Sequence, residues 1–183
     1  MASKLKGKEW YEITAPKFFN EVSVGQTMAM DPNRIVGRVI ETSLMDLGGD
    51  PNKYYLKFFF KVDAVNGKKA STVYVGHDCT RDFLARIVRR RSNRIDINNV
   101  VELKDIKLRI KSVGVTNRLV SKAIETKLRK SIGEVIADVV SKMTLDEFLT
   151  ELISNKLQMK IRKTMSKIYP LKQFEFRKTE LMK

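Results

Sequence analysis

His77 and Cys79 stand two residues apart in Gly76-His-Asp-Cys-Thr80, and the chain has one histidine and one cysteine in all. A Cys/His nucleophile pair is the sharpest chemistry these two suggest, because a neighbouring imidazole can draw the proton from a thiol. A spacing of two is a poor geometry for such a dyad, so the expectation is a packed thiol and a histidine at a helix entrance. A second histidine to complete a metal site is lacking, as is a Gly-rich phosphate loop of the Walker or dinucleotide type, and the carboxylates are scattered singly. The sequence therefore points to no catalytic residue, no metal, no cofactor and no small-molecule substrate.

The densest run of functional side chains follows at once. From Arg81 through Arg86, Arg89, Arg90 and Arg91 to Arg94, every cation is arginine and none is lysine. The guanidinium fork binds phosphate bidentately and stacks on bases, which an ammonium does not. Asp78 or Thr80 is placed to cap a helix with Phe83, Leu84, Ile87 and Val88 on its apolar side and Arg86, Arg89 and Arg90 opposite. Asp82 and Asp96 are too few to neutralise six arginines.

The whole chain shares this bias. Across 183 residues, 36 Lys+Arg against 21 Asp+Glu leave a net charge of +15. Solubility needs a magnitude of only ~2 to 8, so the excess calls for a polyanion, and nucleic acid is the commonest. An anionic membrane surface fits poorly, because the cations do not line one long helix opposite a Trp/Phe/Leu face. Met1 to Glu9 carries Lys4, Lys6 and Lys8 without an apolar signal region, and no stretch is long and apolar enough for a membrane span. One cysteine forms no intramolecular bridge and no Cys-cluster zinc site, so the expected compartment is the reducing cytosol.

The elements that must position these groups change character along the chain. Residues 1–9 read as a basic tail, and 10–183 as a single domain. From Trp10 to about Val115 the texture is β: Trp10 to Thr14, Ile35 to Leu47, Tyr54 to Val65, Ala70 to Val75 and Val100 to Val115. Asn66-Gly67 predicts a tight hairpin, since both residues tolerate the positive φ it needs. In the strand before it, Leu56, Phe58, Phe60 and Val62 share one face and Tyr55, Lys57, Phe59 and Lys61 the other. That second face either stacks bases between its lysines or is covered by a helix.

After Val115 the periodicity is helical. Asn117 is a candidate N-cap for a helix over about 117–143, with Val120, Ile124, Leu128, Ile132, Ile136 and Met143 on one face. Thr144-Leu-Asp-Glu147 reads as a capping box opening a second helix over about 145–168, which Pro170 stops, with a final strand over about 171–178. The joint suits an antiparallel pair, a kinked continuation being the alternative. Arg118, Lys122 and Arg129 crowd the start of the first helix, whereas Lys156, Lys160, Lys163 and Lys167 follow the acidic start of the second. Cations at a helix N-terminus oppose the macrodipole and gain from an external anion. In an antiparallel pair both basic halves meet at the open end, which is expected to face RNA, and the acidic parts meet at the turn.

Trp10-Tyr-Glu-Ile-Thr-Ala-Pro-Lys-Phe18, Gly37-Arg-Val-Ile-Glu-Thr-Ser-Leu-Met-Asp-Leu47, Gly76-His-Asp-Cys-Thr-Arg-Asp82, Arg89-Arg-Arg-Ser-Asn-Arg-Ile-Asp96 and Ile168-Tyr-Pro-Leu171 stand in this order. Order and spacing resemble the archaeal and eukaryotic small-subunit ribosomal protein family "S three A e", also called eS-one, with an archaeal-type ending. Two departures are Cys79, where an aliphatic residue is common, and Glu102 to Leu108, which lacks an Asp-Gly hairpin. The resemblance implies an α+β fold with an antiparallel β-barrel core, flanked by the Arg-rich helix and the C-terminal antiparallel helix pair. It also implies a cytoplasmic, structural, non-enzymatic role in translation on the platform of the small ribosomal subunit near the mRNA exit. The implied partners are small-subunit rRNA, neighbouring small-subunit ribosomal proteins and mRNA near the exit channel. The implied rRNA-facing residues are the arginines from Arg81 to Arg94, the N-terminal lysines and Lys17. A free-standing RNA-binding or assembly factor, and more remotely an RNA-processing enzyme, are the alternatives.

Overall fold

The computed structural model describes residues 7–182. The architecture is mixed α+β, with eight strands and four α-helices among the described residues. The chain divides into two compact units, Met1–Gly76 and His77–Lys183.

In the first unit β1 (Glu9–Thr14) pairs antiparallel with β2 (Ser23–Ala29). On its other side β1 lies parallel to β5 (Lys69–Cys79), whose hairpin partner β4 (Leu56–Asn66) pairs in turn with β3 (Val39–Ser43). Gly67 makes the β4–β5 turn at φ 62°, a conformation that carries no steric cost for glycine. The expected faces of β4 hold: Phe58, Phe60 and Val62 are fully buried, and Phe19 meets the two phenyl rings edge-on at 5.3 and 5.5 Å. On the opposite face Lys57 pairs with Glu41 at 2.5 Å and Phe59 is half-buried. Tyr55, expected on that face, sits in the turn before the strand and is buried. Of the strand anticipated over Ile35 to Leu47, only Val39–Ser43 forms. β2 escapes sequence reading because, as an exposed edge with Gly25 inside it, it buries only Ala29.

The second unit begins with the last three residues of β5. It continues through α1 (Arg81–Ile87), β6 (Arg94–Glu102), β7 (Lys107–Thr116), α2 (Lys122–Val140), α3 (Leu145–Ile153), α4 (Lys156–Met165) and β8 (Leu171–Met182). β6, β7 and β8 form an antiparallel array with β7 central, so the start of β6, the end of β7 and the start of β8 lie at the same end. The β run read over Val100 to Val115 is a hairpin, and the turn between Glu102 and Leu108 forms. Its turn is closed by Leu103 N–H donating to the Ile106 carbonyl at 2.9 Å without an Asp-Gly pair. One face of the array packs Leu108, Ile110, Phe174 and Phe176 beneath Leu128, Ile132, Ile136, Phe148, Leu152 and Ile161 of the helices, all at 1 % exposure or less.

The expected closed β-barrel does not form, since neither unit's strands return on themselves. The first unit ends at β2 and β3, and the second at β6. α2, which packs over the face of the array, reaches β6 through two side-chain bonds. Arg129 Nε donates to the Asp96 carbonyl at 3.2 Å, and Asn99 Nδ2 to the Gly133 carbonyl at 2.8 Å. A Cβ at position 133 would stand 3.1 Å from the Asn99 amide, so glycine in mid-helix lets α2 approach the strand.

Candidate nucleic-acid interface

The arginine stretch does not form one helical face. α1 ends at Ile87 after seven residues and carries only Arg81 and Arg86. Val88 is extended, Arg89 to Arg91 occupy an exposed turn with Arg91 at φ 64°, and Arg94 opens β6. The helix stops because Ile95 must enter the core, where it is fully buried. Ser92 Oγ fixes the turn by donating to the Arg89 carbonyl at 2.6 Å.

Asn93 then ties this turn to the start of α2. Its backbone N–H donates to Thr116 Oγ1 at 2.8 Å, and its side-chain oxygen accepts from Val120 N–H at 3.2 Å. Its amide nitrogen donates to Glu125, a buried residue on the first turn of α2. Asn93, and after it Lys122 at 3.1 Å, hold the Glu125 carboxyl below the usual carboxylate range. One carboxylate thus anchors a crowded positive helix start. Arg94 meets the Asp96 carboxylate at 2.8 Å while Arg129 takes the Asp96 carbonyl, so strand and helix cations share one residue.

The third basic segment arrives at the same place. Thr116 at the end of β7 is paired with Leu171, the first residue of β8, and Asn117 N–H donates to the Pro170 carbonyl at 3.4 Å. The last turn of α4, with exposed Lys163, and the turn after it, with exposed Lys167, therefore lie at the end of the array that carries Arg89–Arg94 and Arg118–Lys122. At the opposite end, Lys104 in the β6–β7 turn donates its backbone N–H to the Met143 carbonyl beside the start of α3. Asp146 and Glu147 sit there, with the capping box formed as read: Thr144 N–H donates to Glu147 Oε2 at 2.9 Å and Glu147 N–H to Thr144 Oγ1 at 3.4 Å. So α2 runs from the basic end to the acidic end, and α3 and α4 return.

Several expectations are revised in detail. The first helix starts at Lys122 with Ser121 as N-cap, not Asn117, because residues 117–120 cross from β7 and are held by Asn93. The second helix is two, broken at Asn155, which adopts the left-handed conformation at φ 60°. Lys156 is the first residue of α4, about 13 Å of helix rise from its last residue, Met165, and Lys160 lies midway. Neither is brought to the basic end. Lys8 and Lys17 are exposed in the first unit, and Lys4 and Lys6 lie outside the described residues. Sequence reading missed Asn93, a polar residue that looked like loop filler; Arg162, one of the late cations of the second basic helix, lines a cleft beside the last turn of α4 with Lys163, Met159 and Pro170.

His77 and Cys79 form no dyad. His77 is fully buried, its Nε2 donating to the Phe176 carbonyl at 3.1 Å and its Nδ1 accepting from Thr179 Oγ1 at 2.7 Å. Cys79 Sγ donates to that same Phe176 carbonyl at 3.3 Å. Desolvation lowers the imidazole to about 4 and pushes the thiol far above its ordinary range. The two groups share an acceptor at a bulge in β8 rather than a proton. Among the described residues no three His, Cys, Asp or Glu side chains cluster as metal ligands, and no helix is long and apolar enough to cross a membrane.

Comparison with known proteins agrees with the segments quoted above. The model of the Ribosomal S3Ae family matches residues 1–183. The small ribosomal subunit protein eS1 of Sulfurisphaera tokodaii is 38% identical over 181 residues, covering 98% of this chain and 94% of that protein. That of Saccharolobus islandicus is also 38% identical, over 98% of this chain and 87% of its own. The corresponding protein of Desulfurococcus amylolyticus is 36% identical over 98% of this chain and 84% of its own. With the matched family spanning every residue and relatives matching almost end to end, the chain belongs to the ribosomal S3Ae family.

Proposed function

We propose that this protein is a structural constituent of the small ribosomal subunit and acts in translation in the cytoplasm. Its basic end holds rRNA phosphates while other surfaces pack on neighbouring ribosomal proteins. The supporting observation is the convergence of Arg89–Arg94, Arg118–Lys122 and Lys163–Lys167 at one end of the β6–β7–β8 array. Cations gathered at the positive end of α2 repel one another and its macrodipole, so the arrangement costs stability unless a polyanion is bound. Arginine in an exposed turn suits phosphate, offering a planar fork that needs no helix to aim it. The seat proposed is the platform near the mRNA exit, with mRNA within reach.

Replacing Arg89, Arg90 and Arg91 together by alanine tests the contact. Those side chains are exposed and outside the core, so the fold is expected to persist. Affinity for a small-subunit rRNA transcript should fall, and the slope of log affinity against log salt should flatten by about 2 to 3. An unchanged slope would mean the turn does not touch phosphate.

A further inference from the structure

β8 does not pair evenly with β7: Lys111 is opposite Lys178 and Ser112 opposite Phe176, so Arg177 is the extra residue of a bulge. A bulge re-aims the side chain it carries. The carbonyl of the preceding residue, Phe176, is the acceptor shared by His77 and Cys79, so these buried groups pin the backbone at the bulge. Arg177 lines a cleft of about 140 Å³ with Asp96, Ile97, Asn98 and Lys111. Its guanidinium has no ion-pair partner among the described residues.

The charges around this cleft are in excess. Glu180 is shared by Lys178 at 2.9 Å, Lys111 at 3.3 Å and Arg109 at 3.9 Å, and Asp96 is engaged by Arg94 at 2.8 Å. Two carboxylates thus answer Arg94, Arg109, Lys111, Lys178 and Arg177. Glu180 also fixes the ammonium of Lys111 at the rim, so the cleft presents a held cation, a guanidinium and the Asn98 amide to one small volume. We propose that this cleft is a phosphate subsite for an RNA strand, which leaves the basic end at Arg94, passes Asp96 and places a backbone phosphate between Arg177, Lys111 and Asn98. The subsite rests on the rRNA-binding reading above and extends it to residues outside the arginine turn.

The test uses the full chain with a small-subunit rRNA transcript, comparing Arg177→Gln, Asn98→Lys and the alanine triple at positions 89–91. Arg177→Gln breaks no ion pair and should keep the melting temperature. It should flatten the log-affinity against log-salt slope by about 0.7 to 0.9, the contribution of one phosphate contact. Asn98→Lys adds a cation to the same exposed strand position and should steepen the slope by a similar amount. If the triple flattens the slope while neither single substitution alters it, the subsite is wrong and the broader reading stands. If the wild type binds the transcript with no salt dependence, or the triple leaves the slope unchanged, the rRNA-binding reading itself fails.

Discussion

His77 shows how far a residue type alone can mislead. As the sole histidine beside the sole cysteine it suggests chemistry, yet its two ring nitrogens serve Thr179 and Phe176 about a hundred positions away. No local spacing foretells such partners. The burial has a pH consequence. The folded ring titrates near 4 and the unfolded one near 6.5, so unfolding takes up a proton between those values. Stability from the neutral ring is complete above about 6.5 and is lost as the pH falls to about 4, an effect of about 3 kcal/mol. A His77→Asn variant, which cannot titrate there, should show a smaller drop in melting temperature from pH 7 to pH 4.5 than the wild type. Parallel curves would show that the ring is not held neutral. Asn93 is the converse case, with hydrogen bonds that join the arginine turn to Thr116 of β7, to Val120 and to Glu125 of α2, and nothing in its neighbours to announce them.

Among elements, those fixed by local periodicity and caps were legible: the β4–β5 hairpin at Gly67, the buried face of β4, the α2 stripe and the Thr144–Glu147 capping box. Elements fixed by distant partners were not. The arginine helix was expected to run on to Arg90 but ends at Ile87, because Ile95 is drawn into a strand by pairing with Gly114, nineteen residues on. The helical periodicity that continues past Ser154 hid the break at Asn155. There the left-handed residue turns the chain, and its Oδ1 accepts from the Gln158 amide at 3.3 Å. A β-branched side chain pays about 1 to 2 kcal/mol in that conformation and glycine almost none. Asn155→Val should therefore lower stability to chemical denaturation by about that much, and Asn155→Gly should come within a few tenths of a kcal/mol of the wild type. Equal losses for both would place the importance of Asn155 in its side-chain bond rather than its backbone.

Over the whole molecule, the charge of +15 pointed to a polyanionic partner before any element was placed. What the sequence treated as two separate basic features, the arginine stretch and the basic helix ends, the fold makes one, because strand order brings the start of β6, the end of β7 and the start of β8 together. Periodicity alone carries no strand order, and the barrel that the family resemblance implied is an open array here. The acidic start of α3 lies at the far end, so the second unit is polarised along its strands. Such polarity orients a protein on a polyanion, because reversing it would put Asp146 and Glu147 against phosphate. The measurement that bears most directly on this account is sedimentation of the purified protein with small ribosomal subunits lacking it, followed by a salt wash. The wild type should travel with the subunits, and the Arg89, Arg90 and Arg91 alanine triple should be released at a lower salt concentration. Protein that stays at the top of a gradient containing those subunits would contradict the account.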